Sequence, residues 1–135
     1  MDYQRFSELS QQIDSCLQAG KLKDAETLIL DLLMQDISEL DRAELCAKMA
    51  YVYDRYGNVS AALEWLDKGI FSEQLYARYA VLEKKASYLI QLGRYREALK
   101  LYEDLSKQPY LTEAEKERVK KVIQSLLGKT MGGWR

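Results

Sequence analysis

The sequence predicts an all-α protein of about seven helices, arranged as helical hairpins that pack against one another. A phrase of the form Gly-x-φ-x-x-Ala, where φ is apolar, occurs three times, as AGKLKDAE at 19–26, YGNVSAAL at 56–63 and LGRYREAL at 92–99. Between these phrases, apolar residues recur at spacings of three and four, which is the period of one helix face. A third indication of helix is a capping box at 112–115, in which threonine and glutamate satisfy each other's backbone N–H groups.

The glycine of each phrase is predicted to lie in a turn between two helices. Gly20, Gly57 and Gly93 stand 37 and 36 residues apart, each after one helical segment and before the next. A residue that ends a helix often adopts a positive φ, which glycine reaches without a steric penalty. The apolar spacing predicts helices over the segments 21–34, 41–56 and 94–105.

The alanine that follows each glycine by five positions is predicted to be buried. Its small side chain suits the point where two helix axes approach, while the larger apolar residues around it interlock as ridges and grooves. One hairpin cannot bury its apolar stripe alone, so neighbouring hairpins are expected to stack. The predicted structural signature of the repeat consists of Gly20, Ala25, Gly57, Ala62, Gly93 and Ala98.

A single domain over 1–128 is the predicted organisation, because 135 residues suffice for one core. Its last helix is expected to begin at the capping box and to end at Gly128, and its polar outer face would cover the end of the stack. The predicted parts are repeats at about 5–38, 42–72 and 78–111, a cap helix at 112–128 and a flexible tail at 129–135, which contains Trp134.

The three phrases resemble the turn and second-helix signature of the tetratricopeptide repeat (TPR) family, and the resemblance covers about residues 5–127. It implies a right-handed superhelical stack of helix-turn-helix hairpins, a TPR-like α-solenoid with a concave groove lined by the first helix of each repeat. The chain departs from the family at the first-helix tryptophan position, which holds Leu9, Cys46 and Leu82. Its repeat is also longer than the family's length of about 34 residues. We place the extra residues near 35–38 and 70–73.

The register of this resemblance assigns polar residues to the groove. We expect partner-binding side chains at Gln11, Asp14 and Gln18 in the first repeat, Lys48, Tyr51 and Arg55 in the second, and Lys84, Ser87 and Gln91 in the third. A polar surface of mixed charge suits a peptide or a helix of another protein. Tyr51 is the expected anchor, because tyrosine is large, stiff and able to form hydrogen bonds. The alternative is an incidental surface tyrosine.

Catalysis is not expected. The chain has no histidine, which removes the commonest general base and the commonest zinc ligand. With two cysteines and no histidine, a closed structural zinc site is excluded. The stretch LLGKTMGG contains Gly-Lys-Thr, but Ile123 stands where a phosphate-binding loop needs its first glycine, and the stretch ends a helix. We therefore expect no enzymatic activity, no cofactor and no metal.

Charge and hydropathy exclude two classes of partner. The net charge of −1 provides no field that attracts nucleic acid or an anionic membrane. The basic residues in 113–121 alternate with glutamates, as on a solvated helix face. No apolar stretch approaches the roughly 18–20 residues that a membrane span needs. The N-terminal residues lack the apolar segment of a secretory signal, so the expected location is cytoplasmic.

The predicted function is a non-catalytic protein–protein interaction module, an adaptor or a small chaperone that binds a partner peptide or helix in its concave groove. The alternative is a self-assembling scaffold subunit, in which Tyr3, Phe6 and Leu9 at one end and Trp134 at the other form a homodimer or larger homo-oligomer. Some members of the family clamp the C-terminal carboxylate of heat-shock chaperones. The resemblance places Asp14 at a clamp position, where it would repel a carboxylate, so we expect no such binding.

Overall fold

Seven α-helices make up the described part of the chain, residues 1–132 of a computed structural model, and no strand occurs among them. The predicted helical segments and the observed helices agree at both ends to within two residues, except at α7. The helices are α1 (Tyr3–Gln18), α2 (Leu22–Leu33), α3 (Glu39–Arg55), α4 (Val59–Gln74), α5 (Ala80–Gln91), α6 (Tyr95–Ser106) and α7 (Glu113–Gly132). The prediction of an all-α chain of about seven helices is therefore confirmed.

The chain divides into two compact units, Met1–Val81 and the part from residue 82 onward. The first unit contains α1 to α4 and the first two residues of α5. Within it, α2 packs against both α1 and α3, and α3 packs against α4. The second unit contains the rest of α5 with α6 and α7, of which α6 packs against α7. The sequence predicts a single domain and gives no signal for a division inside α5.

The three repeat glycines adopt the conformation that the sequence predicts. Gly20, Gly57 and Gly93 have φ values of +74°, +80° and +76°. The N–H of the residue after each glycine donates to the carbonyl five positions earlier, at 2.8, 2.9 and 2.8 Å. These bonds satisfy carbonyls that the end of a helix leaves without partners. Each glycine therefore ends the first helix of a hairpin and turns the chain into the second.

The predicted alanines are also where they were expected, in the interior. Ala25, Ala62 and Ala98 are all at most 1% exposed. In the first unit, Ala25 belongs to a continuous apolar core to which α1, α2 and α3 all contribute. The buried members of that core are Phe6, Ile13, Ala25, Ile29, Leu32, Leu45, Met49 and Val52. Burial of these side chains is the main favourable contribution to folding of the unit.

The last helix begins as predicted and ends later than predicted. The Thr112 N–H donates to the Glu115 carboxylate and the Glu115 N–H donates to the Thr112 hydroxyl, both at 3.2 Å, which confirms the capping box. The helix passes through Gly128 and ends at Gly132. Gly128 is exposed and helical, and an exposed glycine costs a helix only about 1 kcal/mol. Trp134, assigned to the predicted tail, lies outside the described residues.

A close approach of two helices in the first unit depends on a glycine inside α4. A Cβ atom built on Gly69 would lie 3.1 Å from the Ala43 carbonyl oxygen, 3.3 Å from the Cys46 Cβ and 3.0 Å from the Val81 side chain. Hydrogen is thus the largest substituent that this position admits without displacement of its neighbours. The glycine lets the α4 backbone lie directly against α3.

The beginning of α5 is held by a buried carboxylate from the end of α4. Both oxygens of Glu73 accept from the Val81 N–H at 2.8 Å. The Glu73 side chain is almost fully buried. The first N–H groups of a helix have no partner inside the helix, and they carry the positive end of its dipole. Glu73 therefore satisfies an N–H and compensates the helix dipole at the same place.

In the second unit, one carboxylate joins all three helices. Glu83 on α5 accepts from the Tyr102 hydroxyl on α6 at 2.8 Å. It also accepts from the Arg118 guanidinium on α7 through two bonds, at 2.6 and 3.0 Å. The Arg118 guanidinium, followed by the Tyr102 hydroxyl, holds the pKa of Glu83 below its ordinary value. Burial and the hydrogen bond to Glu83 raise the pKa of Tyr102.

The Glu83 junction should make the stability of the second unit depend on pH. We expect Glu83→Gln to lower the free energy of unfolding at pH 7 by about 1 kcal/mol, because Arg118 is half-exposed and water screens the ion pair. Since the pKa of Glu83 is lower in the folded state, its stabilisation is present above the ordinary carboxyl pKa and is lost as pH falls through the folded value. Urea unfolding of both proteins from pH 7 to pH 3 should show the two curves converging. A constant difference would contradict the assignment.

Candidate functional site

A polar surface runs along the neighbouring faces of α1 and α3, and we call it the A-face. It consists of Gln11, Asp14 and Gln18 on α1 and of Lys48, Tyr51 and Arg55 on α3. In each helix these positions follow the spacing i, i+3, i+7, which brings side chains to one side of a helix. The two rows are separated by 37 residues, the spacing of the first two repeat glycines.

Lys48 joins the two helices beneath this surface. Its ammonium lies 2.9 Å from the Asp14 carboxylate and donates to the Ser10 hydroxyl at 3.1 Å, both on α1. Glu44, one turn earlier on α3, lies 3.6 Å away. The Lys48 side chain is only 16% exposed. The structure places the Lys48 charge among these three side chains, where it joins α1 to α3. Its contact with a partner stays a prediction.

The remaining members of the A-face are open to solvent. Tyr51 is 47% exposed, although it follows Lys48 by a single turn on a helix whose opposite side forms the core. Arg55, Gln11 and Gln18 are also exposed. A half-exposed tyrosine with polar neighbours offers a stiff apolar ring and a hydroxyl to an incoming chain. The ring of Tyr51 is thus the largest apolar group among the A-face residues, whose other exposed side chains include two amides and a guanidinium.

The third predicted row lies on α5 in the second unit. Lys84, Ser87 and Gln91 occupy the same i, i+3, i+7 spacing, and all three are exposed. Glu83, the residue just before this row, is not available to a ligand, because it is bonded to Tyr102 and Arg118. The three exposed side chains form a separate polar row on their own unit.

The apolar stripe predicted near the N-terminus is largely buried. Phe6 is 9% exposed and belongs to the core of the first unit, and Leu9 packs against that core. Only Tyr3 is strongly exposed, at 82%. The reason is that this side of α1 belongs to the core to which α1, α2 and α3 contribute. The scaffold alternative stays a prediction: an interface that included Phe6 would require this side chain to leave the core, whereas Leu9 is only partly buried beside it.

The chemistry that this part of the molecule offers is hydrogen bonding and ion pairing. Asp14 already pairs with Lys48, and the other A-face groups are amides, a phenol and a guanidinium. Within residues 1–132, no three side chains of the kinds that bind metals come together. Over the same range, no helix has both the length and the apolar character needed to cross a membrane. An exposed surface of this composition suits recognition of a polypeptide.

The bonds of Lys48 lead to a prediction about C-terminal carboxylates. A peptide that ends in Glu-Glu-Val-Asp should not bind the chain with micromolar affinity, because the one A-face ammonium is already paired with Asp14 and bonded to Ser10. Calorimetric titration of the full chain is the measurement. The variant Asp14→Asn is a useful companion, since it removes the competing carboxylate. Micromolar binding by the unmodified chain would show that Lys48 can exchange partners.

The sequence interpretation missed several residues that set the packing of the first unit. Gly69 and Glu73 set the packing of α4 and the beginning of α5, yet neither belongs to the repeat signature. Arg5 and Arg42 stand 37 residues apart, which is the spacing of Gly20 and Gly57. The sequence interpretation did not use this identity, and in the structure Arg42 donates to the Leu33 carbonyl at 3.0 Å.

Comparisons with known proteins identify no relative of this chain, so its internal repeat is the main evidence on what it resembles. Neither a family model, nor a curated protein, nor a solved structure matches this chain significantly. What points to a family is therefore within the chain itself. Three glycines of positive φ and three buried alanines recur at spacings of 37 and 36 residues in an all-α protein.

Proposed function

We propose that this chain is a non-catalytic protein–protein interaction module that binds a peptide or a helix of a partner on the A-face. The observation that carries the proposal is the half-exposed ring of Tyr51 on α3, a helix that Lys48 joins to α1. A rigid pair of helices loses little conformational entropy on binding, so the contacts that it makes translate more fully into affinity. Adaptors and small chaperones both use surfaces of this kind.

We also propose that the hairpins belong to the TPR type. Support comes from the helix–turn–helix order, from the positive φ of Gly20, Gly57 and Gly93, and from the burial of the alanines five positions later. The spacing of 36 and 37 residues is close to the family's repeat length. The right-handed superhelical stack that the sequence predicts for the whole chain stays a prediction.

The absence of a catalytic role is part of the proposal. The exposed groups of the A-face do not include a nucleophile next to a base, which is the arrangement that covalent catalysis requires. Tyr51, the central group, lies on a helix surface, whereas substrate sites are usually concave and largely enclosed. A polypeptide of extended or helical form is the class of ligand that fits an open surface.

Substitution of Tyr51 tests the proposal. We expect Tyr51→Ala to weaken binding of the native partner about tenfold or more, because aromatic residues at the centre of an interface contribute most of its energy. The matched control is Tyr76→Ala, which removes a tyrosine of similar exposure outside the A-face. Quantitative affinity capture from native lysate, with the wild type and both variants, is the measurement. Equal recovery of partners by the wild type and Tyr51→Ala would reject the A-face as the binding surface.

A further inference from the structure

Charge is divided unequally between the two compact units. The unit Met1–Val81 contains 14 aspartates and glutamates against 8 lysines and arginines, a net charge of −6. The residues from 82 onward contain 7 acidic and 12 basic residues, a net charge of +5. The net charge of −1 for the whole chain conceals this division. The A-face therefore lies on an acidic unit, and charge of one sign favours association with a partner of the opposite sign.

Close to Tyr51, two carboxylates share one ammonium. The Lys48 ammonium lies 2.9 Å from the Asp14 carboxylate and 3.6 Å from that of Glu44, which borders the A-face one turn before Lys48. The same ammonium donates to the Ser10 hydroxyl at 3.1 Å. Two negative charges thus meet one positive charge, and this cluster has a net charge of −1.

The two carboxylates of this cluster are accessible, whereas the ammonium is not. The side chains of Asp14 and Glu44 are 52% and 55% exposed, and that of Lys48 is 16% exposed. A carboxylate accepts several hydrogen bonds through its two oxygens, so each can accept from a ligand while it stays beside Lys48. Because both carboxylates approach the same ammonium, a single cationic group of a ligand can contact the two together.

The charges on α3 also have an order relative to Tyr51. Glu44 and Lys48 precede it by seven and three residues, on the same side of the helix. Arg55 follows it by four residues and is exposed. With a helix pitch of about 5.4 Å, the excess of negative charge lies one to two turns before the tyrosine, and a positive charge lies about one turn after it. A ligand on Tyr51 thus meets carboxylates on one side and a guanidinium on the other.

We infer that the segment of the partner that binds the A-face is basic, with an arginine near an apolar side chain. The apolar side chain packs on the Tyr51 ring, and the arginine donates to Asp14 and Glu44. Arginine suits this place better than lysine, because its planar guanidinium presents five N–H groups in a fork that can reach two carboxylates. The inference rests on the proposed function and adds to it the chemistry of the partner.

A library of random twelve-residue peptides, displayed on phage and selected on the full chain, provides the probe. We expect the enriched peptides to carry an arginine near a large apolar residue. One of them is then synthesised and titrated by fluorescence anisotropy. Glu44→Gln should weaken its binding roughly fivefold, since a hydrogen bond between two charged groups becomes one to a neutral amide. Replacement of the peptide arginine by glutamine should weaken binding to the wild type more than binding to Glu44→Gln, because the two residues interact directly.

The matched control is Glu64→Gln, which removes one negative charge from an exposed position of the same unit outside the A-face. We expect it to leave the affinity unchanged. Equal weakening by Glu64→Gln and Glu44→Gln would overturn the inference, because the attraction would then come from the net charge of the unit alone. Equal effects of the peptide substitution on the wild type and on Glu44→Gln would also overturn it.

The variant Tyr51→Ala separates this inference from the proposed function. Enriched peptides that depend on Tyr51 but carry no basic residue would overturn the inference and leave the A-face as the binding surface. Peptides that bind Tyr51→Ala as well as the wild type, or a selection that enriches no peptide, would contradict both. Self-association that Glu44→Gln abolishes, measured by sedimentation without peptide, would assign the carboxylates to the basic unit of a second copy and would also overturn the inference.

Discussion

Replacement of Gly69 by alanine is expected to destabilise the first unit by about 2 kcal/mol, although alanine is the better helix former. The added methyl group would meet the Ala43 carbonyl oxygen at 3.1 Å and the Val81 side chain at 3.0 Å. A backbone oxygen cannot rotate away as a side chain can, so α3 and α4 must separate. Overpacking of this kind costs about 1–3 kcal/mol, which exceeds the gain of about 1 kcal/mol from helix propensity.

The matched control for this prediction is Gly128→Ala in α7. Gly128 is also inside a helix, but a Cβ atom there would meet nothing within 4 Å. We therefore expect Gly128→Ala to stabilise the chain by up to about 1 kcal/mol. Thermal and urea unfolding of the two variants should shift in opposite directions. If both variants were stabilised, the close approach of α3 and α4 at Gly69 would be wrong.

Truncation of Glu73 should have an effect of similar or larger size. We expect Glu73→Ala to lower the free energy of unfolding by about 2–3 kcal/mol, because the Val81 N–H loses a charged acceptor inside the protein. Removal of the side chain also leaves a cavity between the end of α4 and the beginning of α5. The loss should appear first as fraying of the first turn of α5.

Two further variants separate the role of the charge from that of the volume. Glu73→Gln keeps the shape but replaces one accepting oxygen with an amide NH₂, a donor that cannot accept from the Val81 N–H, so an intermediate loss is expected. Glu64→Ala, at an exposed position on the same helix, should change stability by less than about 0.5 kcal/mol. Hydrogen exchange at the Val81 amide is the local measurement. Unchanged protection of that amide in Glu73→Ala would contradict its role as a cap.

The sequence is most informative where one local cause determines one local structure. Gly20, Gly57 and Gly93 end helices because positive φ is accessible to glycine, and their spacing reveals the repeat without any knowledge of packing. The capping box at Thr112 is equally local. Periodicity then places the helices between these signals, which explains why the predicted ends are close to the observed ones.

Features that depend on the contact of two helices were not predictable in the same way. Gly69 resembles any helix-weakening glycine until the position of Ala43 is known. Glu73 resembles a surface residue at the end of an amphipathic helix, whereas the fold buries it against the beginning of α5. Gly128 is the opposite case, because the sequence suggested that it ends a helix and the structure places it within one. Glycine thus ends a helix at Gly20, allows a close helix contact at Gly69 and is simply part of a helix at Gly128, and tertiary context decides among these roles.

In the candidate site too, the sequence indicated local features but not the contacts between helices. The register of the repeat assigned one row of side chains to α1 and one to α3, both rows have the same spacing in the helices, and Tyr51 is exposed. It did not reveal that Lys48 is already bonded to Ser10 and paired with Asp14. Only the separation of α1 and α3 determines whether a lysine reaches the neighbouring helix. For the same reason, the sequence could not show that Phe6 is buried in the core that α1, α2 and α3 form.

Site-specific photo-crosslinking tests the central claim most directly. A photoreactive phenylalanine analogue would replace Tyr51 in one protein and Tyr76, which is comparably exposed outside the A-face, in another. After irradiation in the native lysate, we expect position 51 to yield a discrete crosslinked partner that excess unlabelled wild type competes away, and position 76 to yield none. The same set of weak products from both positions, or no competable product at position 51, would contradict the account.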